Sequence, residues 1–284
     1  MAIFFALIAF LSWGVADLYA AISSRKIGNF YTYIIVQLVG IAYSLILLPF
    51  FAGRFDLYYF FIAFLLAIID NVGFLFFYKA FESGNVSLNG TIAGSFGLVT
   101  VLVALLFFGE ILTPFSSLGI IFISIGIILS SLRLKELLKG NLKGVFSDKG
   151  VFYAMITMLL WGVYLSLIKI PIEEIGWYWT MVPVSLMLPF LLLLGRFRKG
   201  VLEVMQNKIN IKSGIIHAVF AFGGYIAYYL GIGQGNISLV GPIAGASPVL
   251  FVVLSRFVFR DRLNTQQWIG ILLTLGGIVL ISLS

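Results

Sequence analysis

The sequence contains no cysteine and only one histidine, His217. Without cysteine the chain has no disulfide bond, no thiolate nucleophile and no cysteine-ligated metal. A single histidine likewise excludes a metal site built from several imidazoles. We therefore expect no metal or other cofactor, and we exclude chemistry that depends on these side chains.

Charged residues are also scarce, at 10% of the 284 residues, whereas 61% are hydrophobic. An average soluble domain carries about 25% charged residues. A soluble fold of this length could not hide so much apolar surface from water, but a bilayer removes the need. The composition predicts an all-α integral membrane protein of the cell (inner or plasma) membrane, with lipids as its neighbours and no nucleic acid as a partner.

The apolar residues are collected in long runs, and about 20 such residues cross the hydrocarbon core as a helix. This length predicts ten transmembrane helices. They are expected at about 2–22, 31–52, 57–81, 86–108, 115–132, 151–170, 177–195, 213–233, 237–258 and 266–283. No basic residue precedes the first run, so we expect a retained helix rather than a signal peptide.

Segments of the chain recur at fixed spacings, which is the signature of an internal repeat. Residues 84–94 return as 235–245, at a spacing of 151, and Trp13-Gly14 returns as Trp161-Gly162, at a spacing of 148. The spacing of 151 also pairs Glu110 with Asp261, Gly119 with Gly270 and Gly126 with Gly277.

The repeat divides the chain into two related halves, 1–132 and 151–284, joined by a basic linker at 133–150. Each half holds five of the ten expected helices. An odd number means that the second half enters the membrane from the opposite side. The two halves are therefore expected to be inverted repeats, an arrangement that suits alternating access to a site near the midplane.

These motifs resemble those of the drug/metabolite transporter superfamily, specifically its ten-helix EamA-type members. The similar features are the Trp-Gly pair in the first helix of each half, the Gly-Asn-x-Ser-Leu-x-Gly-x-Ile-Ala-Gly segment, and the acidic residue and glycine that follow it. The resemblance covers nearly the whole chain. It implies a secondary transporter with a central cavity, often an exporter of amino acids or other small metabolites, but says little about substrate.

Lysine and arginine are distributed very unevenly among the expected loops. Of 18 such residues, 16 fall in or beside loops that follow odd-numbered helices, and only Arg54 and Lys169 fall on the other side. Because cytoplasmic loops carry the excess of positive charge, we expect the odd-numbered loops in the cytoplasm and both termini outside. Many relatives of the family type are understood to have cytoplasmic termini, so the two lines of argument conflict.

Glycine and proline recur in the fourth helix of each half. Small residues let helix backbones approach closely in membranes, so packing is the first interpretation of these glycines, and a hinge is the alternative. Proline removes a backbone donor and bends a helix, and only the second half has it here. The candidate hinge and packing residues are Gly90, Gly94, Gly241, Pro242, Gly245 and Pro248.

Asp70 is the sharpest functional candidate, since it lies in the middle of the third expected helix and its repeat equivalent is Ala221. An ionisable group at that depth usually faces a cavity or a partner. Asn71 follows it, and Phe74 and Tyr78 continue its face at helical spacing. A carboxyl that only hydrogen-bonds to a neighbouring helix is the structural alternative.

Asp17 is the second candidate, one turn beyond Trp13, and its equivalent is Leu165. Asp17 and Asp70 could together bind a cationic amine, or either could exchange a proton. Further substrate-binding candidates are Trp13, Trp161, Tyr225 and Tyr229, although aromatic packing would also account for them.

The sequence thus favours a secondary transporter that exports a small amphiphilic metabolite, such as an amino acid. A flippase for lipids or lipid-linked sugars is the alternative. An intramembrane enzyme is less favoured, since one histidine and no cysteine leave few nucleophile and base pairs.

Overall fold

The computed structural model describes residues 1–83, 86–131, 149–206, 209–259 and 264–283. These residues form thirteen helices and no strand, which confirms the all-α prediction. The helices are α1 Ala2–Phe51, α2 Leu57–Ser83, α3 Val86–Gly94, α4 Phe96–Phe107, α5 Pro114–Ser131, α6 Lys149–Leu167, α7 Lys169–Ser185, α8 Met187–Leu191, α9 Gly195–Met205, α10 Lys212–Ile232, α11 Ile237–Gly245, α12 Ser247–Phe259 and α13 Thr265–Ser282. Most of the linker 133–150, together with Gly84, Asn85 and Asp261, lies outside the described residues.

Seven stretches of helix in the described ranges are long and apolar enough to cross a membrane. An eighth is added if residues 169–205, bent by 106°, form one span, and Pro114–Ser130 is a shorter apolar helix. The protein is therefore a multi-pass membrane protein. The expected number of ten spans stays a prediction, because length and composition alone give seven or eight.

Helix α1 combines two of the expected helices around a sharp bend at Gly28, where φ is 84° and ψ is 160°. The hydroxyls of Ser23 and Thr32 lie 2.9 Å apart across this bend. In a continuous helix nine residues span about 13.5 Å, so the chain must turn back at Gly28. Glycine suits this position because an L side chain rarely adopts a positive φ. Gly176, 148 residues later, has almost the same geometry, with φ 75° and ψ 167°.

The fourth expected helix of each half is broken rather than continuous. The first half is interrupted at Ser95, between α3 and α4, and the second at Ala246, between α11 and α12. These two residues are equivalent at the spacing of 151. The prolines near the second break are therefore not its cause, since the first half breaks at the same point without proline.

Several contacts between the halves occur twice. In the second copy each residue is replaced by its repeat equivalent from the other half. Helix α5 packs against α13. A methyl group on Gly119 would lie 2.7 Å from the carbonyl oxygen of Gly277, and one on Gly126 would lie 2.6 Å from that of Gly270. Because Gly270 and Gly277 are the equivalents of Gly119 and Gly126, one contact becomes the other when the halves are exchanged.

The same exchange relates contacts made by the Trp-Gly pairs. Gly14 packs against Leu250 and Gly162 against Val99, where Leu250 is the equivalent of Val99. These contacts leave no room for a side chain, which supports the packing interpretation of the shared glycines. Among the candidate residues, Gly245 lies against Gly94 and Gly97, while Gly94 contacts Pro248.

Glu110 closes one end of α11. Its two carboxylate oxygens accept hydrogen bonds from the backbone nitrogens of Ile237 and Ser238, both at 2.9 Å. Lys169 lies 3.9 Å from the same carboxylate and donates to the carbonyl of Gly235 at 3.2 Å. An acidic group at a helix N-terminus accepts hydrogen bonds from the free N–H groups there. Its negative charge is also attracted to the partial positive charge of the helix dipole at that end. The acidic residue that follows the repeated segment in the first half, Glu110, thus caps a helix of the second half.

The glycine contact between α5 and α13 can be tested with two adjacent glycines. Gly277→Ala would place a methyl group 2.6 Å from the carbonyl oxygen of Gly119, whereas on Gly276 it would lie 4.0 Å from the nearest side chain. Overpacking of this kind costs about 1–3 kcal/mol. We expect Gly277→Ala to lower the unfolding temperature in detergent by several degrees. Gly276→Ala should leave it unchanged or raise it slightly, and equal effects would contradict this account of the contact.

Candidate functional site

A cavity of about 30 Å³ lies between the two halves of the chain. Its walls come from seven helices, which are α1, α2, α3 and α4 of the first half and α6, α10 and α12 of the second. The lining residues are Trp13, Ala16, Asp17, Phe74, Phe77, Gly94, Phe96, Trp161, Leu165, His217, Ala221, Tyr225 and Ser247. Asp17 is the only carboxylate among these lining residues, and none of them is lysine or arginine.

The two repeated tryptophans form opposite parts of the wall through exchanged contacts. Trp13 packs on Gly224, and Trp161 packs on Gly73, where Gly224 is the equivalent of Gly73. A side chain at either glycine would occupy the space of the indole. Because these two positions are glycine, the indoles can pack directly against the helix backbones, and this contact fixes their positions.

Phe96 lies edge-on to both indoles, 5.7 Å from the ring of Trp13 and 6.4 Å from that of Trp161. Phe74 and Phe77 extend the aromatic wall, with ring centres 5.1 Å and 4.8 Å from Trp161. Such rings provide apolar surface and negative π faces that attract cations.

Asp17 is half-buried on the cavity wall and accepts one long hydrogen bond, of 3.4 Å, from the hydroxyl of Ser247. No basic residue of the described chain forms an ion pair with it. The carboxylate therefore faces the cavity with most of its hydrogen-bonding capacity unused. A bound group that carries positive charge or several donors would complete this site.

Asp70 lies behind the wall rather than in it. Its side chain is completely buried, and Oδ1 accepts a hydrogen bond of 2.6 Å from the hydroxyl of Tyr225. Tyr225 itself lines the cavity, so its ring stands between Asp70 and the open space. The predicted stripe is present, but of its members only Phe74 reaches the cavity.

Asn71 belongs to a packed polar network. Its Oδ1 accepts from the hydroxyl of Tyr33 at 2.7 Å and from Gln37 at 2.6 Å, and its Nδ2 donates to the carbonyls of Ala67 and Val184. The bonds to Tyr33, Gln37 and Val184 hold α1, α2 and α7 together, and the bond to Ala67 lies within α2. Asn71 is therefore placed to stabilise the fold, away from the cavity.

Tyr78 and Tyr229 also lie behind the wall, each hydrogen-bonded to another buried side chain. Tyr229 pairs with the hydroxyl of Tyr164. Tyr78 lies 2.8 Å from Nε2 of His217, whose Nδ1 is 2.9 Å from the carbonyl oxygen of Ala16. A carbonyl only accepts, so Nδ1 donates, and in the neutral imidazole Nε2 accepts from Tyr78.

Sequence reasoning gave little weight to His217 and did not select Phe77 or Phe96, all of which line the cavity. Phe96 and Ser247 are equivalent positions that differ in polarity, and both face the open space. That equivalence was the signal that could have identified Phe96. Nothing in the local pattern distinguishes Phe77 from the other phenylalanines of α2.

Comparison with known proteins places this geometry in a family. The chain matches the EamA-like transporter family over residues 1–132 and 148–283. It belongs to that family. The EamA-like match covers both halves of the chain separately, and it confirms the membership in the drug/metabolite transporter superfamily that the motifs indicate.

Individual relatives match parts of this EamA-like chain. An uncharacterized protein of Methanocaldococcus jannaschii is 31% identical over 138 residues, which are 48% of this chain and 98% of that protein. A probable 4-amino-4-deoxy-L-arabinose-phosphoundecaprenol flippase subunit ArnE of Pseudomonas fluorescens is 32% identical over 65 residues, 22% of this chain and 57% of the relative.

A crystal structure of another protein shares the overall fold. It superposes with a TM-score of 0.68, covering 99% of this chain and 96% of its own, at 17% identity. At that identity the likeness concerns the fold alone.

The position of the cavity can be tested by thiol labelling, because the chain has no cysteine of its own. Ser247 and Ser166 are both buried, but Ser247 lines the cavity, whereas Ser166 does not and donates to the carbonyl of Gly162. We expect a cationic methanethiosulfonate reagent to modify Ser247→Cys much faster than Ser166→Cys, measured by mass spectrometry in detergent. The negative charge of Asp17 should favour this reagent over an anionic one. Similar rates at both positions would contradict the cavity.

Proposed function

We propose that this protein is a secondary transporter that exports a small amphiphilic metabolite bearing an amine, and that the substrate binds in the cavity beside Asp17. The family membership supports transport. One observation carries the substrate class. The cavity has a single carboxylate, Asp17, together with aromatic walls and no basic lining residue.

An amine fits these walls for electrostatic reasons. A cation placed against Asp17 gains a direct attraction in a site of low dielectric constant, and indole and phenyl faces add about 0.5–2 kcal/mol each when desolvated. An anion would meet the carboxylate with no positive side chain to offset it. Amino acids and amino sugars both offer the required ammonium group.

We infer an architecture of ten spans in two inverted halves. Counting α1 as two spans on either side of Gly28, α7 with α8 as one, and α5 as one brings the seven long helices to ten. The exchanged contacts of α5 with α13, and of each Trp-Gly pair, are the pattern that a two-fold axis between like halves produces. The Methanocaldococcus jannaschii relative matches 48% of this chain over 98% of its own length, so it has about the length of one proposed half.

Alternating access follows from this architecture. If the halves exchange conformations, the cavity opens first to one side and then to the other without moving the site. The broken helices α3–α4 and α11–α12 cross near this site, and their breaks allow one part of each to move relative to the other.

Flipping of a lipid-linked amino sugar is a second candidate. The probable ArnE relatives in two Pseudomonas fluorescens strains carry that activity in their names, and the sugar that they name carries an amine. Such a substrate would place its ammonium group at Asp17 and its lipid chain outside the cavity, between helices. Both candidates use the same carboxylate and differ in what is attached to the amine.

The proposal predicts the effect of Asp17→Asn. This change keeps the shape of the side chain and removes its charge, so binding of amines should weaken at least tenfold. Thermal stabilisation of purified protein by a panel of amines, amino acids, amino sugars and neutral sugars would measure it, because a ligand that binds only the folded state raises its stability. Stabilisation by neutral sugars alone, or amine binding that is indifferent to Asp17→Asn, would refute the substrate class.

A second prediction concerns orientation. We propose that the loops after odd-numbered helices, which hold 16 of the 18 basic residues, face the cytoplasm. Alkaline phosphatase, active only outside the cytoplasm, should then be active when fused to the C-terminus. Green fluorescent protein at the same position should stay dark after export through the general secretory route. The reverse pair of results would place both termini in the cytoplasm.

A further inference from the structure

Asp17 is half-buried on the cavity wall and Asp70 is fully buried behind it, and this difference suggests different tasks. We propose that Asp70 is a proton-binding site separate from the substrate site at Asp17, and that it couples transport to a proton gradient. The inference rests on the proposed transport function and assigns to Asp70 the role of exchanging a proton for the cationic substrate.

The first observation is an unpaired oxygen. Asp70 has no exposed surface, and while Oδ1 accepts from Tyr225, Oδ2 has no hydrogen-bond partner among the described residues. An ionised carboxylate in this position would leave an anionic oxygen without a donor inside the membrane. A proton on Oδ2 removes the buried charge, which is the larger of the two penalties, although the resulting O–H has no acceptor among the described residues. This conformation therefore favours the protonated carboxyl.

The second observation is the absence of a fixed cation. The titratable groups whose charge would act on Asp70 are tyrosines of α1, α2, α6 and α10. They are Tyr33 on α1, Tyr78 on α2 itself, Tyr164 on α6, and Tyr225 and Tyr229 on α10. His217, also on α10, has both ring nitrogens engaged, with Tyr78 and with Ala16, and Asp17 lies beyond Tyr78.

None of these neighbours supplies a permanent positive charge. A sodium ion would need several oxygen ligands in place of one, and Tyr225 supplies the single polar contact that the described residues make to the Asp70 carboxyl. The surroundings therefore suit a proton better than a metal ion.

The third observation is that one side chain separates Asp70 from the substrate cavity. The ring of Tyr225 lines the cavity, edge-on to Trp13 at 5.7 Å, while its hydroxyl holds Asp70. If Tyr225 moves, water in the cavity reaches Oδ2. The proton then passes from Oδ2 to that water and leaves a carboxylate behind.

A cation in the cavity favours this step, because a nearby positive charge stabilises the ionised form of a carboxyl. Substrate binding therefore promotes proton release, and by reciprocity protonation of Asp70 promotes substrate release. This coupling has the sign of an exchange of protons for exported amines. Tyr225 acts as the positioning residue that keeps the two sites apart.

The test uses benzyltrimethylammonium, an aromatic cation that has no exchangeable proton, on the purified full-length protein in weak buffer. The wild type should be stabilised by the cation and should release close to one proton per bound cation, detected by a pH dye. Asp70→Asn should still bind the cation, within a few-fold of the wild-type affinity, and release no proton. Asp17→Asn should lose the binding. The control Asp56→Asn, a half-buried carboxylate at the start of α2 that does not line the cavity, should behave as the wild type.

Proton release by Asp70→Asn equal to that of the wild type would overturn the proposal, as would cation binding by the wild type without proton release. Stabilisation by sodium that Asp70→Asn removes would overturn it in favour of a sodium site.

An infrared measurement decides the question even if no amine binds and the proposed function fails. At neutral pH the wild type and Asp17→Asn should show a carboxylic acid C=O band that Asp70→Asn lacks. If the band is unaffected by Asp70→Asn, Asp70 is ionised at rest and holds no proton.

Discussion

The close approach of glycine backbones is the contact on which the rest of this structure depends. In hydrocarbon no hydrophobic force drives one apolar helix against another, because lipid tails are as apolar as leucine. Helices associate where small residues let them come close enough for dispersion and backbone dipoles to act. In this chain those places are Gly119 and Gly126 on α5, their equivalents on α13, and the crossing of Gly94 with Gly245.

The shape of the cavity depends on two further glycines, Gly73 and Gly224. Gly73 and Gly224 accept the indoles of the partner half, so Trp161 and Trp13 are fixed at the interface and cannot fill the space between them. The walls are then rigid aromatic rings, and the few polar atoms among them stand out. The side chain of Asn71, which serves packing, has its amide oxygen and its amide nitrogen both matched.

The sequence was sufficient for the class of fold because composition and run length depend only on the solvent that surrounds the chain. The repeat spacing also identified the residues that make exchanged contacts, such as Trp13 and Gly119. The polar gap between the expected helices at 2–22 and 31–52 placed the turn that the chain makes at Gly28. Hydropathy also predicted one span at 86–108, and Leu88–Phe107 is long and apolar enough to cross the membrane. The interruptions at Ser95 and Ala246 were not predicted, since hydropathy has no signal for a break of one residue.

Which side chains of a helix face reach the cavity was harder to predict than which residues share that face. Helical spacing placed Asp70, Phe74 and Tyr78 on one stripe, and that stripe is present. Which member of a stripe reaches open space depends on the ring that the opposite helix inserts, here Tyr225 on α10. A sequence pattern records the direction of a side chain but not what stands in front of it, so Asp17 and Asp70 could not be separated.

The two halves differ in a hydrogen bond at the cavity wall. Trp13 donates from Nε1 to the carbonyl of Ala221 at 3.3 Å, whereas Nε1 of Trp161 is buried without a partner among the described residues. Ala221 is the equivalent of Asp70, so the unmade bond would be one from Trp161 to the backbone of Asp70. An unmet buried donor costs about 1–3 kcal/mol. In the alternating-access cycle proposed above, exchange of the two conformations would form this bond and break the other. Each conformation would then leave one indole N–H unpaired, so the two conformations would have similar free energies in this respect. A carrier with two accessible states needs such a balance.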